Sequence, residues 1–279
     1  MRLLENKVIA IAGGSLGIGL AIAKRCVQEG AQVILSARTQ KDLEQAVQEL
    51  NSISGFHHYF VADVGLIDQV ESFASFCKPL GVSGLVNCAG LLGPIGKTSE
   101  INLALFAQTV QTNFLGTVNM CVSFSKIMKP RKKIVNLSGG GAVAPFLNFS
   151  AYASSKAAVV RFSENFAREH LNELDVNCIA PGFIKTRLHE ETLKSGPEAA
   201  GKEFYERTIK EIESGGTSME FTTELAAFLL SDSSNGITGK LISAPFDPWK
   251  AAPFQERLRK EADLASLRRI DDKQYAKLQ

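Results

Sequence analysis

The chain of 279 residues has no apolar run approaching the roughly 18–20 residues that a membrane-spanning helix needs, so a membrane role is not expected. An excess of charge of one sign is missing too. Thirty-one Lys plus Arg against 29 Asp plus Glu leave a formal +2, too little to neutralise many phosphates of a polymer, and nucleic acid is not an expected partner. Near the start, Glu5 and Asn6 stand where a secretory leader has a basic stretch and then an apolar core, so the expected location is cytoplasmic. Cys26, Cys77, Cys88, Cys121 and Cys178 are odd in number and widely spaced, with no Cys-x-x-Cys pair. That excludes the usual disulfide frameworks and zinc knuckles and points to reduced, buried thiols. His57 and His58 fall in a strand-like run, while His170 and His189 stand apart, and no metal site is expected.

What the chain does have is 45% hydrophobic and 22% charged residues, the balance of an ordinary globular protein with a full core. Short apolar runs alternate with longer stretches of helical spacing. The strand-like runs are Val8–Ala12, Val33–Ser36, Phe56–Ala62, Leu85–Cys88, Lys133–Leu137, Val176–Ile179 and Lys240–Ser243. Helices are expected over Gly17–Glu29, Lys41–Leu50, Gln69–Phe76, Leu103–Met128, Ala151–Asn172 and Thr223–Leu230, with an irregular segment from Pro181 to about Gly216. Strands apolar on both faces and separated by helices predict a parallel sheet covered on both sides. The expected fold is therefore α/β, a Rossmann-type doubly wound sheet of about seven strands in one domain over residues 1–248. Residues 249–279 read as a charged tail outside that core, with a short helix lying on the body or on a partner subunit. Its charges Glu256/Lys260, Arg257/Glu261 and Arg259/Asp263 stand at i,i+4.

Between the first strand and the first helix lies Gly13-Gly14-Ser15-Leu16-Gly17-Ile18-Gly19. Glycines here let backbone N–H groups approach a pyrophosphate seated on the positive end of the helix, so this is a candidate nucleotide site. Further along, Tyr152 and Lys156 are one turn apart on a predicted helix. An ammonium near a phenol favours the phenolate and lowers its pKa, which makes such a pair a tunable general acid/base.

The Gly-x-x-x-Gly-x-Gly spacing, Asn87-Cys88-Ala89-Gly90, Asn113, Tyr152-Ala-Ser-Ser-Lys156 and Pro181-Gly182 with Thr186 follow one another in the order found in short-chain dehydrogenases/reductases. From about Asn6 to Asp247 the chain resembles that family, with Ala12 for the usual Thr and Cys88 for the usual second Asn. The resemblance implies an oxidoreductase that interconverts a carbonyl and a secondary alcohol by hydride transfer. It implies Tyr152 as acid/base, Lys156 also holding the nicotinamide ribose, and Asn113 anchoring a proton path behind Lys156. It further implies cofactor contacts from Gly13, Ser15, Leu16, Gly17 and Ile18 at the pyrophosphate, Asp63 and Val64 at the adenine, and Asn87, Ala89 and Gly90 at the ribose and floor. Pro181, Gly182, Ile184 and Thr186 would hold the nicotinamide.

At the end of the second strand, Ser36-Ala37-Arg38 lacks the acidic residue that would bind both ribose hydroxyls, and Arg38 offers a guanidinium suited to a 2′-phosphate. NADP(H) is expected ahead of NAD(H), with Ser36 or Thr39 as added hydroxyl contacts. The family's carbonyl-binding serine commonly stands 13 residues before the tyrosine, and here that position is Gly139. Ser138 is the candidate replacement, with Ser150 or another local donor, or no such side chain, as alternatives. Phe183–Gly216 would form a lid, and Val143–Leu147 an apolar wall beside the carbonyl. The resemblance also implies a homodimer or homotetramer paired through long helices, and Ala153, Ala157, Val160 and Phe166 suit such close packing. The rival expectation is a catalytically weak or inactive sensor or scaffold of the same fold, favoured by Gly139 and the tail.

Overall fold

A computed structural model describes residues 2–128 and 132–269. In it β1 (Val8–Ala12), β2 (Gln32–Ala37), β3 (His58–Val61), β4 (Gly84–Asn87), β5 (Lys132–Leu137), β6 (Leu174–Ala180) and β7 (Lys240–Ser243) form one sheet in the order β3-β2-β1-β4-β5-β6-β7. Every neighbouring pair is parallel, as the strands' two-sided apolarity predicts. Alternation along β1 feeds two separate cores: Ile9 and Ile11 pack on one face, Ala10 and Ala12 on the other. The first core lies under α1 (Gly17–Gln28), α2 (Gln40–Ile53) and α9 (Met219–Leu230). The second lies under α3 (Ile67–Cys77), α5 (Gly116–Ser125) and α6 (Ser150–Glu169), where Phe73 and Phe124 meet with ring centroids 5.2 Å apart.

Three expected elements differ. The long helix from Leu103 to Met128 is α4 (Leu103–Val110), a π-helical segment over Gln111–Leu115, and α5. Asn102 starts α4 by accepting the amides of Ala104 and Leu105. The widened turn holds Asn113, and apolar periodicity does not register one added residue. The segment after Pro181 is not irregular: it holds α7 (Arg187–Ala200), kinked at Gly196 (φ 80°) before Pro197, and α8 (Lys202–Glu213). The kink and the mixed charges broke up the helical spacing in the sequence.

The tail is part of the first core, rather than an addition that the fold does not need. Trp249 is buried against Phe228 and donates its indole N–H to the Ala244 carbonyl at 3.0 Å. Leu258, on α10 (Ala252–Lys260), is buried as well. Beyond α10 the chain runs along the outer edge of β7, where Ala265 accepts the Leu241 amide. The buried Lys240 ammonium holds it there by donating to the carbonyls of Glu261, Ala262 and Leu264. Glu164 of α6 accepts the Leu267 amide and pairs with Arg161 and Arg268. Of the expected i,i+4 pairs, Glu256–Lys260 and Arg257–Glu261 form, but Arg259–Asp263 does not. Arg259 instead donates to the carbonyls of Ser233 and Asn235, and Asp263 pairs with Arg268. The remainder of the expected tail, 270–279, lies outside the described residues.

Trp249→Ala removes a core side chain and one hydrogen bond, so denaturant unfolding should show a loss of about 3–5 kcal/mol. A loss below about 1 kcal/mol would show that the tail does not belong to the cooperative core.

Candidate active site

The strand order reverses beside β1, because the chain builds outward to β3 and then returns to place β4 on the other side. Crevices form at the carboxyl ends of strands at such a reversal. Gly13 turns there at φ 72°, where a Cβ would meet the Ala89 backbone nitrogen at 2.5 Å, so only glycine lets the first loop lie against the end of β4. Leu16 precedes α1 in an extended conformation without a side-chain cap, and the first turn carries no acidic residue. No side chain competes there with an anion at the positive end of the helix dipole.

The cavity at this crevice measures about 630 Å³. Of the expected cofactor residues, Gly13, Ser15, Leu16, Gly17, Ile18, Arg38, Asp63, Val64, Ala89, Gly90 and Thr186 line it. Asn87 does not. It is buried and donates to Asn136 Oδ1 at 2.8 Å, while Asn136 donates to Ser163, a ladder beneath the floor. Pro181, Gly182 and Ile184 also stand back from the lining. Gly182 turns at φ 78° against Thr217, whose hydroxyl accepts the Phe183 amide, and Ile184 is buried. Sequence reasoning missed Thr112 and Lys185, which join the lining from the π-helical segment and the approach to α7. Neither carries a motif signal.

The far wall suits a nucleotide sugar. The Ser36 hydroxyl is buried without a hydrogen-bond partner among the described residues, and Thr39 precedes α2 without a side-chain capping bond. Arg38 is exposed, and its guanidinium stands 4.0 Å from the Asp63 carboxylate. Uncapped amides, a close-packed glycine turn and these unengaged hydroxyls fit a dinucleotide's pyrophosphate and ribose.

Tyr152 and Lys156, on α6, stand back from the lining as well, as does Asn113. A Cβ placed on Gly90 would lie 3.7 Å from Lys156 Nζ and 3.5 Å from Asn113 Oδ1, which ties both side chains to the cavity floor. Lys156 Nζ is 5.7 Å from the Tyr152 ring centroid and donates to the Leu137 carbonyl at 2.8 Å. Burial lowers the Lys156 pKa and pushes the Tyr152 phenol up to about 12. The expectation that the ammonium lowers the phenol's pKa is thus reversed, because removal from water disfavours the phenolate. Asn113 accepts the Leu91 amide and donates to the Leu91 carbonyl and the Ser155 hydroxyl. It braces the loop after β4 against α6.

Ser138 is buried, and its hydroxyl has no hydrogen-bond partner among the described residues. The atoms nearest to a Cβ built on Gly139 are those of Tyr152, so it is Gly139 that faces the phenol. Ser150, the alternative, shares a 2.6 Å hydrogen bond with Thr98. Of the expected apolar wall, Phe146 stacks on Phe149 at 4.4 Å and Phe204 of α8 meets both edge-on, while Val143 and Leu147 are exposed. Tyr152 packs against this aromatic cluster.

A family model described as short chain dehydrogenase matches residues 7–196, and the chain belongs to that family of oxidoreductases, which binds NAD(P). It is 30% identical over 248 residues to dehydrogenase/reductase SDR family member 4 of Sus scrofa, covering 86% of each chain. An uncharacterized oxidoreductase of Bacillus subtilis, YxbG, is 30% identical over 251 residues, 88% of this chain and 91% of its own. Among solved structures, NAD+-bound xylitol dehydrogenase superposes with a TM-score of 0.79 at 23% identity, covering 86% of this chain and 98% of that one. A short chain dehydrogenase of Shigella flexneri complexed with NADP gives 0.77 at 24% identity, covering 87% and 98%. These two likenesses concern the fold. Among the described residues no helix is long and apolar enough to cross a membrane, and no cluster of His, Cys, Asp or Glu could hold a metal ion.

Asn113→Ala removes both hydrogen bonds to the half-buried Leu91 backbone and one to Ser155, at a cost of about 0.5–1.5 kcal/mol per bond. Hydrogen exchange should show the Leu91 amide losing protection while β1 amides keep theirs. Unchanged Leu91 protection would remove Asn113 as the brace.

Proposed function

We propose that the protein is an NADP(H)-dependent reductase, or the reverse alcohol dehydrogenase, acting on the carbonyl of a small molecule. The observation that carries this reading is the meeting of Tyr152, Lys156 and Asn113 just behind Gly90, which lines a cavity that fits a dinucleotide. The nicotinamide, when bound, supplies or accepts the hydride. In the reductive direction the carbonyl carbon gains that hydride, and Tyr152 Oη gives its proton to the carbonyl oxygen to complete the alcohol. A phenol with its pKa pushed up to about 12 holds its proton at neutral pH, which suits the acid role. Lys156, with the Leu137 carbonyl as its fixed partner, stays oriented toward the phenol and the cavity floor. Asn113 keeps the Leu91 loop in register with α6. The Phe146, Phe149 and Phe204 cluster beside Tyr152 favours an apolar group next to the reacting carbon.

For the cofactor, Arg38 on the cavity wall and the unengaged hydroxyls of Ser36 and Thr39 support NADPH over NADH. By the family's habit the enzyme acts as a homodimer or homotetramer, and its balanced charge is compatible with the cytoplasm, as is the absence among the described residues of a helix long and apolar enough to cross a membrane. A second reading, a sensor or scaffold that binds the nucleotide with little turnover, is favoured by one observation: no side chain at position 139 offers the substrate oxygen a hydrogen bond.

NADPH oxidation measured over a panel of aryl and alkyl ketones should show turnover that Tyr152→Phe lowers about 10²–10⁴-fold while cofactor affinity stays near wild type. Binding of NADPH without turnover on any ketone would favour the sensor. For the cofactor, Arg38→Ala should raise the NADPH Michaelis constant on the order of 10–100-fold and leave that of NADH within a factor of about 2. Equal effects on both cofactors would refute a phosphate-reading Arg38.

A further inference from the structure

Three glycines end β5, and they are glycine for different reasons. Gly141 sits at φ 83°, and a Cβ there would press on Ala153 and on Phe146 Cβ at 2.6 and 2.7 Å, so backbone and space both demand it. Gly140 has an ordinary φ, and its nearest neighbour, Phe146, would be 3.5 Å away, so nothing demands glycine there. Gly139 also lacks a positive φ, yet a Cβ on it would fall deep inside the Tyr152 hydroxyl and 3.0–3.1 Å from Cζ and Cε1. What position 139 has to accommodate is the phenol, not a special backbone.

The neighbouring groups cannot yield easily. Leu137 gives its carbonyl to Lys156, and the Ser138 amide is held by the Ile179 carbonyl at 2.9 Å, so the backbone on the near side of Gly139 is fixed. On the far side, Tyr152 starts a helix of 20 residues packed on the sheet, with its ring against Phe149 and the aromatic cluster. Any side chain at 139 therefore displaces the phenol rather than the strand.

We infer that Gly139 is a positioning residue: its missing side chain is the slot in which Tyr152 Oη lies against the end of β5. The site has exchanged a side chain at 139 for closer seating of its proton carrier, and position 139 itself offers the substrate oxygen no hydrogen bond. Restoring a serine hydroxyl by Gly139→Ser then does harm, because its Cβ collides before its oxygen can help. Gly139, not Ser138, stands opposite the phenol, and the buried Ser138 hydroxyl has no hydrogen-bond partner among the described residues. The inference rests on the proposed reductase reading for its catalytic meaning but not for its geometry.

The test pairs kinetics with a stability cycle. Gly139→Ala and Gly139→Ser should both lower kcat about 10–100-fold, with the serine no better than the alanine. The tyrosine limb of the kcat/KM pH profile should move to lower pH as the phenol is pushed toward solvent, a change that a merely destabilised protein would not give. Independently of turnover, Gly139→Ala should lower Tm by about 3 °C or more in the native background and by clearly less beside Tyr152→Phe, where the hydroxyl is gone. A Gly139→Ser enzyme as fast as or faster than wild type, or an equal loss of Tm in both backgrounds, would overturn the inference. Failure of Tyr152→Phe to slow turnover would instead fault the reductase reading, and the stability cycle would still decide the geometry.

Discussion

Everything at the site depends on the reversal of strand order at β1. Its neighbours β2 and β4 lie on opposite sides of it and belong to opposite directions of winding, so the loops that leave β1 and β4 part company at their carboxyl ends. Because the strands are apolar on both faces, helices must cover both sides, and the crevice at the reversal is the place left open for a large polar ligand. The Gly13 turn, the uncapped start of α1 and the end of β4 close on one another there with no room for a Cβ. The other half of the site is the meeting of β5 with α6, where Lys156 is tied to Leu137 and Tyr152 to Gly139.

An unpaired polar group buried inside such a sheet costs about 1–3 kcal/mol. The central strands limit that cost with a ladder of Asn87, Asn136 and Ser163, which links β4, β5 and α6 beneath the cavity and leaves Asn87 Oδ1 without a partner among the described residues. Lys133, fully buried on β5, donates to Asp175 and Ser234 and so joins the amino ends of β5 and β6 to the turn before β7. Lys240 and Glu164 do the same for the tail, one offering three donors to tail carbonyls and the other accepting a tail amide. With Trp249 these contacts turn a polar, charged segment into a cover for the outer edge of β7.

Much of this was legible in the order of residues. Val8–Ala12 and Lys240–Ser243 are the strands that their apolar runs announced, and the glycine turn stands at the crevice with most of the expected lining residues. What periodicity did not carry was any feature whose cause lies in another part of the chain. Asn113 stands in a widened helical turn while bonded to Leu91 across the site, and a heptad-like pattern is blind to that. Asn87 reads as a cofactor residue by its neighbours Ala89 and Gly90 but turns inward to Asn136. Arg259 reads as an i,i+4 partner of Asp263 but finds the carbonyls of Ser233 and Asn235, which no local rule brings near.

The sequence by itself determined the alternation of strands and helices, the family and the chemical kinds present at the site, because those rest on local spacing and residue type. Tertiary structure alone decided which groups face one another. It turned the tail into core, gave Asn87 to the floor rather than the cavity, and reversed the direction of the Tyr152 pKa, since burial depends on what surrounds a group and not on its neighbours in the chain. It also gave a reason for Gly139. In the sequence that residue is a missing serine; in space it is the room that a phenol from another element requires.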